Sequence, residues 1–184
     1  MYKQLEIFNL PKIQQLELLT LLNFSGEINN DIIGFKKLAF NKIGYFQSYN
    51  SSPHISLGLS KTTSKNLDIE IEKFRKRLRK KEKFEILLKG FDFFENSKNT
   101  TIYLRIANPT PLNEIFSMLY PLEKDFNPHI TIAKAVPHNI AAILWPLFKN
   151  KAYEQKFICD QVRLLKRPYK SNDKWKFVTD IFLL

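Results

Sequence analysis

Two short segments of the sequence repeat the same order of residue types around a histidine. Ser52–Leu57 reads Ser-Pro-His-Ile-Ser-Leu, and Asn127–Ile132 reads Asn-Pro-His-Ile-Thr-Ile. The chain has three histidines, and two of them lie in this context. If each segment is a β-strand, its side chains alternate between faces, so the histidine and the hydroxyl two residues later point the same way. Two such strands would bring two imidazoles and two hydroxyls to one cleft.

The four side chains that the strings would present, His54, Ser56, His129 and Thr131, suit acid–base chemistry on a phosphate ester. An unperturbed imidazole titrates near pH ~6.5, so at neutral pH one histidine can be neutral while its partner is charged. The neutral histidine can take a proton from water, and the charged one can give a proton to a departing oxygen. The hydroxyls can donate hydrogen bonds to the non-bridging phosphate oxygens, where charge gathers. The sequence does not fix which histidine is the acid and which is the base.

A plainer interpretation is that both histidines close strand ends and satisfy local hydrogen bonds. The repetition argues against it, because one short motif is weak evidence and a repeated motif is stronger. The third histidine, His138, follows Pro137 but lacks a hydroxyl two residues later, so we expect it at the surface where a helix starts. The sequence has no Walker loop, dinucleotide fingerprint or zinc motif, and its acidic residues show no paired spacing typical of carboxylate catalysis.

Strands and helices alternate along the chain around the two strings. Leu16–Leu22 has helical propensity but also fits a buried strand. Apolar spacing predicts helices over 29–46, over a basic stretch from 67 to about 83, over 109–119 and over 137–147. Asn30 or Asp31 is expected to cap the first helix. A polar connector over 61–64 precedes the second helix, and Thr63 or Ser64 is expected to cap it. Besides the two strings, strands are predicted over 84–94 with a kink at Gly90, and over 101–106, 156–159, 161–166 and 174–183.

The two strings lie 75 residues apart, and no low-complexity linker separates them. A duplicated helix–strand unit explains that spacing. We therefore expect a single domain over residues 1–184, built from two lobes packed together.

The paired His-x-Ser/Thr strings resemble those of the two-histidine (2H) phosphoesterase superfamily, and within it the 2′-5′ RNA ligase-like proteins, or RNA 2′,3′-cyclic phosphodiesterases. Phe84–Phe94, Phe126–Ala133 and Asp160–Lys166 are also similar, so the resemblance covers most of the chain. It implies a bilobal α+β fold in which two antiparallel sheets are related by pseudo-two-fold symmetry, with helices outside and a cleft between the sheets. It also makes Leu16–Leu22 the first core strand, since tertiary context often overrides propensity.

By the same resemblance, the activity is metal-independent hydrolysis of 2′,3′-cyclic phosphates or 2′-5′ phosphodiesters in RNA or nucleotides, with no cofactor. Some members also join 2′-5′ linkages. The catalytic residues would be His54, Ser56, His129 and Thr131. Two alternatives stay open: a non-catalytic RNA-binding protein that keeps the fold, and a 2H phosphoesterase for a non-RNA cyclic phosphate.

Three further residues are candidates for substrate binding. Lys134 stands where the family often has arginine, and it can meet a phosphate as a point charge but not by a bidentate fork. Strict strand alternation would turn Lys134 away from His129. Phe126 and Tyr45 could stack on a base, although core packing is the more ordinary use of such residues in a chain with sixteen phenylalanines.

The net charge of +11 is concentrated in one place. Between Lys73 and Lys83 stand eight Lys or Arg and one Glu, which gives this basic segment +7 and leaves +4 for the rest of the chain. Such a run can be a solvated helix surface. It can also attract a polyanion such as RNA, without sequence specificity.

Composition sets the remaining expectations. No apolar run approaches the ~20 residues that span a bilayer, and Met1–Glu6 lacks the basic-then-apolar layout of a secretory signal. The single cysteine, Cys159, cannot form an intramolecular disulfide, and we expect a buried structural thiol. We expect a cytoplasmic, monomeric protein without a membrane partner.

Overall fold

The computed structural model describes residues 13–24 and 26–184, and within them eight strands and five helices form. The segment Met1–Glu6, on which the expectation about a secretory signal rests, lies outside the described residues. The strands are β1 (Gln15–Leu22), β2 (Ile55–Thr63), β3 (Phe84–Glu95), β4 (Asn99–Ile106), β5 (His129–Pro137), β6 (Glu154–Cys159), β7 (Gln161–Pro168) and β8 (Lys176–Phe182). The helices are α1 (Gly26–Ile43), α2 (Leu67–Leu78), α3 (Thr110–Leu119), α4 (His138–Leu144) and α5 (Pro146–Lys149).

All eight strands belong to one curled antiparallel sheet, in the order β6-β3-β4-β5-β2-β1-β7-β8. The expectation of two separate sheets is therefore wrong in one respect. Each half contributes four strands, and β2 and β5 join the halves through the pair Ile55 and Ile130. The α+β character of the chain is confirmed, and a pseudo-two-fold relation between the halves stays a prediction.

The two strands that join the halves are delivered by the same order of elements. β2 follows β1 and α1, and β5 follows β4 and α3. In each case the helix returns the chain so that the second strand lies beside the first, antiparallel to it, at the centre of the sheet. The sheet therefore carries both histidine strings on adjacent central strands.

Leu16–Leu22 lies in β1 and is a strand, as the resemblance predicts and against its helix propensity. β1 is a central strand between β2 and β7, and most of its residues are buried. Partners on both sides satisfy its backbone, which explains why pairing overrides propensity here.

Several predicted ends are wrong by a few residues. The first helix begins at Gly26, so Asn30 and Asp31 lie inside it rather than capping it, and it ends at Ile43. Gly44 ends it with a φ of 76° and an N–H that donates to Phe40 O at 2.8 Å, an arrangement that favours glycine after a helix.

The other differences have local causes. β2 runs on to Thr63 because β1 offers a partner as far as Gln15, so the predicted connector is mostly strand, and Asn66 precedes α2. α2 ends at Leu78, so the first half of the basic segment is helix and the second half is a short turn followed by irregular chain. Pro146 has no N–H to donate, and the helix predicted over 137–147 divides there into α4 and α5.

The core lies between the sheet and the helices, and it includes Ile55, Ile130 and residues of all five described helices. Cys159 is buried at its edge, and burial raises the pKa of its thiol to about 12. Within the described part of the chain, no helix is long and apolar enough to cross a membrane.

Gly58 in β2 offers a test of packing beside the central strands. A Cβ added there would overlap the ring of Tyr120, which is held by a hydrogen bond of 2.7 Å between its Oη and Thr20 Oγ1. We predict that Gly58→Ala destabilises the fold by about 1–3 kcal/mol. Gly34→Ala is the control, because its Cβ meets nothing within 4 Å, and in mid-helix it should stabilise by about 0.5–1 kcal/mol. Urea denaturation measures both, and equal stability of the two variants would contradict the prediction.

Candidate active site

The pair of Ile55 and Ile130 fixes how the two histidine strings face each other. Both side chains are fully buried in the core. Because side chains alternate along a strand, the residues on either side of each isoleucine lie on the opposite face of the sheet. The strands are antiparallel, so one step from this pair sets His54 beside Thr131, and one step the other way sets Ser56 beside His129.

The four predicted residues, His54, Ser56, His129 and Thr131, all line one cleft of about 600 Å³ on that face. In this register His54 and His129 are diagonal neighbours on adjacent strands, and the backbones of such neighbours lie roughly 7–8 Å apart. That spacing leaves room for a phosphate between two imidazoles. The structure therefore brings together all four side chains that the repeated string singles out.

Both histidines use the same nitrogen to make the same local hydrogen bond. Nδ1 of His54 lies 2.7 Å from Ser52 O, and Nδ1 of His129 lies 2.8 Å from Asn127 O. A carbonyl oxygen only accepts, so Nδ1 carries the proton in each ring and donates it. Nε2 is then the nitrogen that gains or loses a proton, and both rings are fixed in one tautomer. The plainer interpretation, that these histidines satisfy local hydrogen bonds, therefore describes Nδ1 of each ring. Nε2 of each ring stays available for proton transfer.

The surroundings lower the pKa of both imidazoles. For His54, burial has the largest effect, and the positive charges of Lys36, His129 and Lys134 act in the same direction, against the bond to Ser52 O. For His129, burial again has the largest effect, and Lys134 adds to it, against the bond to Asn127 O. Both rings therefore favour the neutral form more than a solvated histidine does.

Aromatic side chains hold the ring of His129. Phe94 packs edge-on against it with the ring centroids 5.2 Å apart, and Tyr103 packs on it at the same separation. Tyr103 is the partner of Thr131 across β4 and β5, which explains its place beside the second string. His129 is thus fixed by a hydrogen bond on one side and by two rings on others.

Lys134 lines the cleft, and the expectation that strand alternation turns it away from His129 is wrong. The register between β4 and β5 shifts twice, between Thr131 and Ala133 and again between Ala133 and Val136. Each shift inserts one extra residue into β5, and Ala135 takes a φ of 58° there. The first insertion changes which face the following residues occupy, so Lys134 reaches the face that carries His129.

The family model for the 2′-5′ RNA ligase superfamily matches residues 35–169, which is most of the chain. The chain belongs to this superfamily of 2H phosphoesterases. No curated protein matches the sequence significantly. The superfamily match agrees with the resemblance that the two strings indicate.

Several solved structures share the fold of this chain. LigT of E. coli in complex with 3′-AMP aligns with a TM-score of 0.67 at 14% identity, covering 94% of this chain and 99% of that one. TT0787 of Thermus thermophilus aligns with a TM-score of 0.66 at 13% identity, covering 91% and 97%. Usb1 of Kluyveromyces marxianus aligns with a TM-score of 0.54 at 11% identity, covering 91% and 98%. At these identities the likeness shows the fold alone.

A buried lysine that the sequence analysis missed organises the loop before the first histidine string. Lys36 in α1 is only 3% exposed. Its Nζ donates to the carbonyl oxygens of Ser48 at 2.9 Å and Ser51 at 2.6 Å, and to Ser51 Oγ at 2.9 Å. Burial lowers its pKa to about 8, so the ammonium is still mostly protonated at neutral pH.

The same loop also ties the first string to the second. Ser48 Oγ donates to Ile132 O at 3.3 Å and accepts the N–H of Lys134 at 3.0 Å, and these groups flank the first irregularity of β5. Lys36 therefore supports, through Ser48, the backbone that directs Lys134 to the cleft. The signal for it was in the sequence, because Lys36 lies four residues after Ile32 on the apolar stripe of α1.

The other sequence candidates lie outside the cleft. Phe126 stacks on Phe116 with the ring centroids 4.3 Å apart, and Tyr45 is 68% exposed and meets Tyr49 edge-on. Packing accounts for both positions, and contact with substrate stays a prediction for them. His138 is exposed at the start of α4, with Nδ1 3.0 Å from Thr100 Oγ1, beside a separate cavity. Among the described residues, no group of three or more His, Cys, Asp or Glu is placed to hold a metal ion.

The electrostatic effect of Lys36 on the site can be measured without any substrate. Lys36→Met removes a positive charge that disfavours the imidazolium of His54, so we predict that the pKa of His54 rises. Lys37→Met is the matched control, because the neighbouring lysine is exposed and its charge is screened by water. An NMR titration of the imidazole signals measures both variants. A similar shift in both, or no shift with Lys36→Met, would contradict the prediction.

Proposed function

We propose that the protein is a phosphodiesterase that hydrolyses 2′,3′-cyclic phosphates or 2′-5′ linked phosphodiesters of RNA or nucleotides, without a metal ion. The observation that carries the proposal is the placement of two His-x-hydroxyl pairs on one face of adjacent strands. Each imidazole there is fixed in the same tautomer, with Nε2 available for proton transfer. Superfamily membership supports a phosphoesterase, and the geometry supports acid–base chemistry.

The proposed step needs one proton acceptor and one proton donor. Nε2 of the neutral histidine takes a proton from water while the water oxygen bonds to phosphorus. The bond from phosphorus to one ribose oxygen breaks, and Nε2–H of the charged histidine protonates that oxygen. A cyclic phosphate thus becomes a phosphomonoester beside a free hydroxyl. The base ends the step charged and the acid ends it neutral, and proton exchange with solvent restores the starting state.

The remaining cleft residues suit the charge of the reacting phosphate. Ser56 and Thr131 can donate hydrogen bonds to its non-bridging oxygens, whose negative charge grows in the transition state. Lys134 adds a positive charge on the same face, as a point charge without the fixed fork of an arginine. Charge stabilisation at a preorganised site is usually the largest contribution to catalysis of this kind.

We assign the base in hydrolysis to His54 and the acid to His129. His54 faces the charges of Lys36 and Lys134, whereas His129 faces that of Lys134, and the two imidazoles repel each other equally. The imidazole with more positive neighbours loses its proton first, so His54 is neutral while His129 still holds its proton. In the reverse reaction, which forms the phosphodiester, His54 is the acid and His129 is the base.

RNA binding without turnover is the alternative that the basic segment suggested. Three of its cations form ion pairs, Lys73 with Glu70, Arg75 with Glu72 and Lys81 with Glu114, and Arg77 donates to Leu119 O. None of the residues lining the cleft comes from this segment. A partly neutralised helix surface away from the cleft favours the solvated-surface interpretation, and the phosphodiesterase is the better supported function.

We propose that the protein acts as a cytoplasmic monomer.

The proposal predicts which histidines matter. His54→Ala and His129→Ala should each lower turnover of 2′,3′-cyclic AMP by roughly 10²–10⁴-fold, because each removes one proton transfer. His138→Ala is the matched control and should retain wild-type turnover, since that ring lies outside the cleft. Chromatography measures the product, and the wild-type protein should form the same amount with EDTA as without it. Full activity of both cleft variants, with circular dichroism confirming the fold, would reject the mechanism, and loss of activity in EDTA would reject its metal independence.

The pH dependence follows from the direction of both pKa shifts. The active free enzyme has one imidazole neutral and one charged, and both pKa values lie below the ordinary value of about 6.5. The profile of kcat/KM should therefore be bell-shaped with its maximum below pH 6.5, and should fall as the second proton is lost at higher pH. A bound anion favours the imidazolium forms, so the kcat profile should lie at higher pH. A kcat/KM that rises steadily through pH 8 would contradict this.

A further inference from the structure

One wall of the cleft carries an indole that belongs to neither histidine string. Trp175 lies in the turn between β7 and β8, next to the first residue of β8. It lines the same cleft as His54 and His129 and is half-buried there. β7 and β8 belong to the half of the sheet that contains β2 and His54.

The indole is held in place by a cation and a buried carboxylate. The guanidinium carbon of Arg167 lies over the Trp175 ring, 4.3 Å from its centroid. Arg167 Nε donates to Glu17 Oε2 at 2.6 Å, and Glu17 is only 7% exposed. These two residues are also register partners in β7 and β1. The sheet therefore fixes the arginine, and the arginine supports one face of the indole.

No aromatic ring among the described residues packs on Trp175. The other tryptophan differs, since Trp145 meets the ring of Phe93 edge-on at 5.0 Å. Phe94, the second aromatic side chain of the cleft, is already packed against His129 and Tyr103. Trp175 is thus the aromatic side chain of this cleft that is supported on one face without being packed against another ring.

We propose that Trp175 is the residue that stacks on the nucleobase of the substrate. This inference rests on the proposed function, because it assigns a specificity-determining residue to the same cleft. A flat π-face stacks on any base, so the contact adds affinity with little preference among bases. A cation over one face of the indole holds the ring in place, and Arg167 itself does not line the cleft.

The kinetic test compares two five-membered cyclic phosphates that differ in the base. The substrates are 2′,3′-cyclic AMP and glycerol 1,2-cyclic phosphate, and the measured quantity is the ratio of their kcat/KM values. Trp175→Ala should lower this ratio about 5- to 150-fold, mainly through KM for cyclic AMP, which corresponds to the loss of one stacked base. Trp175→Phe, which keeps a stacking ring, should restore most of the ratio. An unchanged ratio in Trp175→Ala would overturn the inference.

A binding experiment separates this inference from the proposed chemistry. The chain has two tryptophans, so the double variant Trp145→Phe/His129→Ala leaves Trp175 as the sole tryptophan. This variant should bind nucleotides without hydrolysing them. Titration with 3′-AMP should quench its fluorescence, whereas ribose 5-phosphate should not. Quenching by 3′-AMP supports stacking even if wild-type protein opens neither cyclic phosphate, an outcome that defeats only the proposed function. Absence of quenching, or equal quenching by both compounds, overturns the stacking role and leaves the chemistry standing.

Discussion

The contact between Ile55 and Ile130 is the constraint on which the site depends. Both side chains are fully buried, and the two strands that carry them join the halves of the sheet there. Because faces alternate, burying these isoleucines places His54, Ser56, His129 and Thr131 on the opposite face. A slip of one residue would send the polar residues into the core and the isoleucines into the cleft. The apolar residues inside the two strings therefore fix where the chemistry occurs.

A second set of interactions places the charges around that contact. Lys36 holds the loop before β2, and Ser48 of that loop holds the irregular part of β5. A buried ammonium without water around it is costly, and three oxygen acceptors offset the cost. The same interactions set a positive charge near His54 and direct Lys134 to the cleft. Position and electrostatics are thus supplied by one connected group of side chains and backbone.

The sequence predicted the features that depend on local pattern. Alternation around His54 and His129 identified the strands and the four cleft residues, and apolar spacing located the helices. It failed where a distant partner decides the outcome. The direction of Lys134 depends on how β4 pairs with β5, and the single sheet depends on one pair of residues that are 75 positions apart. Trp175 was missed because its neighbours in sequence give no pattern, and its support comes from Arg167 and Glu17.

The arrangement assigns chemistry and substrate choice to different parts of the chain. The proposed proton transfer and charge stabilisation use residues at the junction of β2 and β5, where buried isoleucines tightly restrict any change. The residue proposed to meet the base lies in the turn between β7 and β8, at the far side of one half of the sheet. Turns tolerate substitution and insertion better than central strands. A change in this turn can therefore alter the proposed contact with the base without disturbing the buried isoleucines that place the paired histidines, which is why the two strings alone do not name the substrate.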